Sequence, residues 1–389
     1  MSSFYEHFNE EVQSLKDAGT YKKAKHLNTP MAAHAQMAEA GGEITILSSN
    51  NYLGLANHPD VIKAAHEALE KYGMGTASVR FICGTMSVHE QLEKVIAELH
   101  GTEASLTYSS CWAANTGLFA VICKPGDVLI SDALNHASII DGCRLVHKEV
   151  VKEIYAHSDM QALEDILIKH QNAPNRFIVT DGVFSMEGDI AKLNEITVLC
   201  EKYDAILIVD DSHGVGVMGS NGRGTAEHFG VENKVDIYTG TLGKALGGAA
   251  GGYVAARSCI VDMLFQASRP QIFSNGISPV TAAGAIKACE LVTPERIESL
   301  HAKIKYFKKG LMDIGLNPLE GESAILAVII GETATAIQIS HKLLKLGFFV
   351  TGFGFPVVPE GKARIRIQVS DALSYEDINA ALTALKKVF

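Results

Sequence analysis

One lysine stands at the centre of the most unusual stretch of this chain, residues 236–256. The stretch reads DIYTGTLGKALGGAAGGYVAA, and Lys244 is flanked by Gly243, Ala245 and Leu246. Little local polarity is therefore available to hydrate an ammonium group. Such surroundings lower the pKa of a lysine, and a neutral lysine can form a Schiff base. The same composition also fits a surface lysine on a glycine-rich loop, so residues elsewhere must decide between the two.

A carboxylate and a histidine follow the apolar run AILIV, at Asp210 and His213. Because the run predicts a buried strand, Asp210 is expected at the carboxyl end of that strand. A carboxylate in such a place needs a cationic partner or bears a large desolvation cost. Asp210 and His213 could also form part of a metal site, but no third ligand lies at a suitable spacing.

Three other segments offer partners for an anionic or aromatic ligand. Ser110, Cys111 and Trp112 form a turn before a helix, and the free N–H groups of a helix N-terminus suit a phosphate. Thr241 adds a hydroxyl near the lysine, and His136 opens a helix, where its ring could stack on a cofactor or serve as a plain cap. A Schiff-base lysine, an aspartate for a pyridinium nitrogen and a phosphate-binding helix terminus are the parts of a pyridoxal phosphate (PLP) site. Cys111 as a nucleophile is the weaker alternative.

Apolar runs alternate with helical stretches through the middle of the chain. Strands are predicted at 104–108, 128–130, 177–180, 205–209, 235–238 and 252–255. This alternation indicates βαβ units and a mostly parallel sheet, that is, an α/β fold. Open α/β sheets bind ligands at the carboxyl ends of their strands, where Asp210 and the lysine stretch are expected.

The pattern divides the chain into three parts. Residues 1–47 are predicted to form an N-terminal arm, and residues 48–279 a large domain that contains the sheet. Residues 280–389 are predicted to form a smaller C-terminal α+β domain. We expect that domain to open with one long helix running from about residue 280 to residue 311.

Bulk composition excludes several classes of protein. The chain has 389 residues, of which 47% are hydrophobic and 20% charged, so a large core is available. A formal charge of −10 argues against nucleic-acid and anionic-membrane partners. No apolar run approaches the ~20 residues that span a bilayer, and the N-terminus lacks a secretory signal. Seven scattered cysteines without a C-x-x-C pair are typical of reduced thiols, so a cytoplasmic protein is predicted.

The chain resembles the α-oxoamine synthases, PLP enzymes of fold type I that join an amino acid to an acyl-CoA. The resemblance covers nearly the whole chain and runs in the family's order. It is carried by SNNYLGLANHP (49–59), SVRFICGT (78–85), YSSCWAANTGL (108–118), SDALNHASIIDG (131–142), TDGVFSMEGDIA (180–191), VDDSHGVGVMGSNGRG (209–224), TGTLGKALGGAAGGY (239–253), RPQIFSN (269–275) and GKARIRIQVS (361–370). It implies a large domain with a mostly parallel seven-stranded sheet, a smaller C-terminal domain, and a homodimer with shared active sites.

The resemblance also implies a role for each matching residue. Lys244 would carry PLP as a Schiff base, Asp210 would contact the pyridine nitrogen, and His136 would stack on the ring. Contacts to the ring oxygen would come from His213 and Ser185. The phosphate would be held by Cys111, Trp112 and Thr241, and, from the neighbouring subunit, by Ser274 and Asn275. Arg366, Asn50 and Glu187 would lie against the substrate, with Arg366 clamping its carboxylate.

Within the family, SVRFICGT, SSCWAANTGL and TGFGFPVVPEGKARIRIQ are most similar to the members that condense glycine with acetyl-CoA to 2-amino-3-oxobutanoate. That reaction is reversible and implies threonine degradation to glycine, with functional coupling to a threonine dehydrogenase. The rivals keep the cofactor and change the donor: 8-amino-7-oxononanoate synthase, 5-aminolevulinate synthase and serine palmitoyltransferase. A more remote alternative is a non-enzymatic nucleotide-binding α/β protein, which would be colourless when purified.

Overall fold

The computed structural model describes residues 3–389. Its strands, numbered β1 to β13 in chain order, are His34–Met37, Gly42–Ile46, Ala104–Tyr108, Val128–Asp132, Val151–Tyr155, Arg176–Asp181, Ile206–Asp210, Ile237–Thr241, Gly252–Ala256, Ile325–Gly331, Phe348–Phe349, Thr351–Phe353 and Ala363–Gln368. Its helices, numbered α1 to α14, are Ser3–Asp17, Pro59–Tyr72, Ser87–His100, Cys111–Ile122, Ala137–Arg144, Met160–Lys169, Leu193–Tyr203, Thr225–Phe229, Ser258–Ala267, Arg269–Ile272, Pro279–Glu290, Pro294–Asp313, Thr333–Lys345 and Tyr375–Val388.

Seven strands form the central sheet, in the order β3-β9-β8-β7-β6-β4-β5. All neighbouring pairs from β8 to β5 are parallel, and β9 runs antiparallel to both β3 and β8. The expected fold, a mostly parallel seven-stranded sheet, is confirmed. The sequence-based prediction missed β5, because this edge strand is largely exposed and carries Lys152 and Glu153 in place of an apolar run.

Helices cover both faces of this sheet, which explains why its strands are apolar on both sides. In β7, Leu207 and Val209 belong to the hydrophobic core on one face, whereas Ile208 belongs to the core on the other. Side chains of a strand alternate between faces, so a strand buried on both faces needs a continuous apolar run. The carboxyl ends of the strands remain the free edge where polar residues collect.

A second, smaller sheet lies in the C-terminal part, in the antiparallel order β10-β13-β12. The N-terminal segment joins this part of the molecule, since β2 pairs in parallel with β11 and Leu47 lies in the same core as the C-terminal helices. The expected long helix is wrong: it is two helices, α11 and α12. Thr293 caps α12 and Pro294 occupies its first turn, a combination that starts a new helix.

No helix within residues 3–389 is long and apolar enough to cross a membrane. Over the same residues, no group of three or more His, Cys, Asp or Glu side chains is arranged to hold a metal ion.

Candidate active site

Lys244 lies in the loop between β8 and β9, half-buried at the carboxyl edge of the central sheet. Burial lowers the pKa of its amine, and the Asp210 carboxylate opposes that shift. The amine therefore loses its proton more readily than a solvated lysine does. A neutral amine is the form needed for attack on a carbonyl and for accepting a proton.

Asp210 ends β7 and is 3% exposed. Its Oδ2 accepts a hydrogen bond of 2.7 Å from the Asn115 amide, and its Oδ1 accepts the Ser212 backbone N–H at 3.1 Å. The Cys111 thiol lies 3.5 Å from Oδ2. All three partners are neutral, and no ion pair within residues 3–389 engages this carboxylate. A buried carboxylate without a cation is suited to a protonated ligand nitrogen.

A second buried aspartate stands beside the first. Asp181 ends β6 and pairs in register with Asp210, and its Oδ2 accepts the His136 backbone N–H at 2.7 Å. Burial, together with the charge of Asp210, raises the pKa of Asp181 well above its usual range. Two adjacent carboxylates cannot both ionise cheaply, so this environment favours the protonated form of Asp181. The sequence carried the same signal for both: each directly follows an apolar strand.

His136 caps α5, as the sequence predicts, and its ring is largely exposed. Its Nδ1 lies 2.8 Å from the Ser138 hydroxyl, which fixes the orientation of the ring. The exposed Trp112 ring meets it edge-on, with 6.2 Å between ring centroids. An oriented imidazole with an open face is able to stack on a planar ligand, although the cap itself accounts for its position.

His213 is linked to a buried tyrosine that the sequence analysis did not select. The Tyr52 hydroxyl lies 2.8 Å from Nδ1 of His213 and also receives the Gln368 amide at 3.3 Å. Burial raises the pKa of Tyr52 to about 12, and burial lowers the pKa of His213 well below its usual range. His213 is therefore a neutral histidine whose Nδ1 is paired with the Tyr52 hydroxyl. The only available signal was that Tyr52 is the single aromatic residue of a polar loop.

The N-terminus of α4 faces the same edge. Ser110 caps the helix by accepting the Ala113 N–H at 3.1 Å, which leaves the N–H groups of Cys111 and Trp112 without intrahelical acceptors. Burial, followed by the charge of Asp210, raises the pKa of the Cys111 thiol well above its usual range. The thiol is thus protonated, which argues against a nucleophilic role. Its backbone N–H remains available to an anion.

Gly252 lets the lysine loop approach this helix terminus. A Cβ atom at Gly252 would collide with the backbone nitrogen of Cys111 and the carbonyl carbon of Ser110. We expect Gly252→Ala to lower the free energy of unfolding by about 2 kcal/mol or more, because backbone atoms cannot step aside. Chemical denaturation measures the loss. Gly42→Ala is the matched control, since that strand glycine has open space around it and should lose less than about half as much.

Thr241 ends β8 and closes the lysine loop. Its hydroxyl donates to the Gly251 carbonyl at 3.0 Å and accepts the Gly243 N–H at 3.1 Å. The hydroxyl proton is therefore already engaged inside the loop. Binding a phosphate through this hydroxyl, as the resemblance implies, requires it to exchange that partner.

Arg366 lies on β13 and is 9% exposed. Its Nη1 donates to the Ser185 carbonyl at 2.6 Å, and the Phe353 ring lies 4.6 Å from its guanidinium carbon. Its Nε is buried without a hydrogen-bond partner in the described residues. Gln368, two residues along the same strand, donates to Asn50. The fold thus brings Arg366, Ser185 and Asn50 together, and the free edge of the guanidinium suits a carboxylate.

Glu187 is engaged by a different arginine. Arg364 donates from Nη1 to Glu187 at 2.7 Å and to the Met186 carbonyl at 2.9 Å. The carboxylate of Glu187 is thus neutralised by a structural ion pair. A direct substrate contact, which the resemblance places near this residue, would have to share that pair.

Ser274 and Asn275 lie in the segment between α10 and α11. Both are exposed, and Asn275 forms an isolated bridge with Val79. Their expected partner is the phosphate of a neighbouring subunit, so their role stays a prediction. Phe273 precedes Ser274 in the chain, and Ile82 is three residues after Val79, the bridge partner of Asn275. Phe273 and Ile82 expose 69% and 68% of their surface.

The residues at this edge fit PLP. Asp210 is a buried acceptor without a cation, Lys244 is an amine that gives up its proton readily, and the α4 terminus offers free N–H groups. These are the complements of a pyridinium nitrogen, an aldehyde and a phosphate. The structure thus collects Lys244, Asp210, Cys111 and His136 at one edge of the sheet.

Comparison with known proteins agrees with this geometry. The family model described as aminotransferase class I and II matches residues 42–385. A Thermoanaerobacter pseudethanolicus protein named 8-amino-7-oxononanoate synthase is 46% identical, covering 100% of this chain and 98% of the relative. An Escherichia coli K12 protein named 2-amino-3-ketobutyrate coenzyme A ligase is 44% identical, covering 99% and 97%.

Solved structures give the same result. A Sphingomonas wittichii serine palmitoyltransferase superimposes with a TM-score of 0.92 at 30% identity, covering 99% of this chain and 97% of that one. A structure of SPT with PLP superimposes with a TM-score of 0.93 at 30% identity, with the same coverage. The resemblance to the α-oxoamine synthases is confirmed, and the chain belongs to the aminotransferase class I and II family.

Proposed function

We propose that this protein is a PLP-dependent acyltransferase that condenses glycine with acetyl-CoA to 2-amino-3-oxobutanoate and CoA, reversibly. The observation that carries the proposal is the convergence of Lys244, Asp210 and the α4 terminus on one edge of the sheet. The relatives named 2-amino-3-ketobutyrate coenzyme A ligase, 44% identical over nearly the full chain, support the substrates.

The cofactor, when bound, supplies a protonated ring that withdraws electrons from the amino acid's Cα. Lys244 would hold it covalently, and Asp210 would keep a proton on the ring nitrogen. His136 would lie against the ring, and His213 would face the ring oxygen, as would Ser185. The phosphate would be bound by the N–H groups of Cys111 and Trp112, by Thr241, and by Ser274 and Asn275 of a second copy.

Arg366 would bind the carboxylate of the amino acid. Its Nη1 is tied to the Ser185 carbonyl and its plane rests against Phe353, so the guanidinium is oriented before substrate arrives. Asn50 is held by Gln368 on the same strand and adds a second polar contact. Preorientation of this kind reduces the entropy lost when substrate binds.

Lys244 would then act as the base. With an amino acid bound, the free amine of Lys244 would take the proton from Cα. Burial favours the neutral form of that amine, because it lowers the pKa. The amine can return the same proton in the reverse reaction, which is how one residue serves both directions.

A second candidate is 8-amino-7-oxononanoate synthesis, favoured by the relative of that name with 46% identity. Both reactions use the residues described above and differ in the acyl donor and the amino acid. A non-enzymatic nucleotide-binding protein fits the same sheet edge less well, because it needs neither the half-buried Lys244 nor a buried Asp210 without a cationic partner.

The discriminating measurement is CoA release with a panel of substrates. We expect glycine with acetyl-CoA to give a kcat/KM at least about tenfold above any other pair, since a few methylenes discriminate by that much or more. The panel pairs glycine, alanine and serine with acetyl-, succinyl-, pimeloyl- and palmitoyl-CoA. A preference for alanine with the pimeloyl donor would replace the proposed function with the second candidate.

We also propose a cytoplasmic homodimer. The exposed apolar side chains of Phe273 and Ile82, next to the predicted phosphate ligands Ser274 and Asn275, support an interface there. The product of the condensation is a β-keto amino acid, so a threonine dehydrogenase that makes this ketoacid would be a functional partner in the cleavage direction.

A further inference from the structure

His157 lies outside the site described above and contacts two segments that border it. His157 follows β5 and places Nδ1 at 3.0 Å from Asp132 and Nε2 at 2.8 Å from Asp189. Both ring nitrogens therefore face carboxylate oxygens, which accept hydrogen bonds but cannot donate them. A neutral imidazole has a single N–H, so only the imidazolium satisfies both contacts. Burial by itself would lower the pKa of His157, but the two carboxylates raise it to about 10.

The first of these segments is the loop that carries His136. Asp132 ends β4 and is 3% exposed. Besides His157, its carboxylate accepts the Leu134 N–H at 2.8 Å and the Ser158 N–H at 3.0 Å. Asp132 thus sets the path of the chain immediately before His136.

The second segment is the turn 184–189, which accepts a hydrogen bond from Arg366. The turn closes on itself: the Phe184 N–H donates to the Asp189 carbonyl at 3.0 Å and the Gly188 N–H donates to the Phe184 carbonyl at 2.8 Å. The Phe184 ring also packs edge-on against His157, at 4.4 Å between centroids. The carbonyl of the next residue, Ser185, is the one that receives Nη1 of Arg366.

Removing His157 would leave the carboxylates of Asp132 and Asp189 without the cation that lies between them. Lys192 contacts the Ser158 carbonyl at 3.1 Å and forms no ion pair with either carboxylate. The Tyr155 hydroxyl, also near Asp132, is neutral because burial raises its pKa. Repulsion between Asp132 and Asp189 would push the turn 184–189 away from β4 and displace the Ser185 carbonyl.

We propose that His157 is a positioning residue for substrate binding: by bridging Asp132 and Asp189 it fixes the turn that seats the Arg366 guanidinium. The inference rests on the proposed function, in which Arg366 binds the amino acid's carboxylate. It predicts a defect restricted to ligands that carry a carboxylate, whereas a general loss of structure would weaken all amines alike.

The test compares PLP-loaded wild type with His157→Gln and with the matched control His170→Gln. His170 is also a partly buried histidine bound to a carboxylate, at 2.7 Å from Glu153, but it lies at the end of α6. Absorbance titration measures the Kd of glycine and of methylamine, an amine without a carboxylate. We expect His157→Gln to raise the glycine Kd about tenfold or more and the methylamine Kd less than about twofold, because a small displacement of an oriented group is costly. His170→Gln should match wild type for both.

Two further variants keep the inference falsifiable if His157→Gln folds poorly. Asp189→Asn retains the His157–Asp132 pair and should give a smaller, still glycine-selective rise in Kd. Adding Asp189→Asn to His157→Gln removes one of the facing charges and should recover part of the lost affinity. Unchanged glycine binding in His157→Gln, or an equal loss for glycine and methylamine, would overturn the inference. A wild-type protein that shows no response to glycine would instead overturn the proposed function.

Discussion

Lys244→Ala is expected to lower CoA release from glycine and acetyl-CoA by at least about a thousandfold, because one amine serves as both covalent anchor and base. The variant should also lose the yellow absorbance of the lysine-bound cofactor. Burial at the sheet edge lowers the pKa of this amine. No other lysine lies beside Asp210 in the described part of the chain, so none can substitute for it.

Lys234→Ala is the control for this experiment. Lys234 lies just before β8 and pairs with Glu201 at 2.8 Å on the surface. The control should keep both colour and activity. A Lys244→Ala protein that remained yellow, or that turned over at a tenth of the wild-type rate, would rule out the assignment of this lysine.

The second large effect is expected at Asp210. Asp210→Asn keeps the volume of the side chain and removes its charge, so the ring nitrogen of the cofactor would lose the partner that holds its proton. We expect kcat to fall by about a hundredfold or more while the yellow colour persists, because Lys244 is untouched. Steady-state CoA release and an absorbance spectrum measure the two outcomes separately.

Asp181→Asn provides a control of the same residue type one strand away. Burial and the charge of Asp210 raise the pKa of Asp181 well above its usual range, which favours the neutral form of this side chain. An amide closely mimics a protonated carboxyl and can still accept the His136 N–H. We expect kcat within about threefold of wild type. Equal losses in the two variants would show that the charge is shared by the pair rather than held by Asp210.

The central sheet was predictable because its strands are buried on both faces. Runs such as AILIV before Asp210 are typical of strands buried on both faces, and the strand β7 begins within one residue of its predicted start. The edge strand β5 was not predicted because solvent takes the place of a neighbouring strand on one side. Fewer of its side chains therefore need to be apolar. The break before α12 was missed for a different reason. Thr293 and Pro294 are a helix start signal, but they lie within a stretch that was interpreted as one helix.

The candidate site was predictable only in part. Lys244, Asp210 and His136 each follow or precede a regular element, so the topology of parallel strands places them on one edge. Tyr52, Gln368 and His157 reach the site through contacts between distant segments, and no local pattern encodes such contacts. Glu187 shows the same limit: its sequence position did not reveal that Arg364 occupies its carboxylate.

The contacts of residues 48–52 with β12 and β13 have a consequence for biosynthesis. Gln368 bonds to Asn50 across 318 positions and to Tyr52 across 316, and Ser48 meets Thr351 across 303. A ribosome must therefore synthesise 316 further residues after Tyr52 before Gln368, on the strand that carries Arg366, can bond to it. Contacts of such long range slow folding. A nascent chain that has completed the central sheet would hold Lys244 and Asp210 in place without any means of gripping an amino acid.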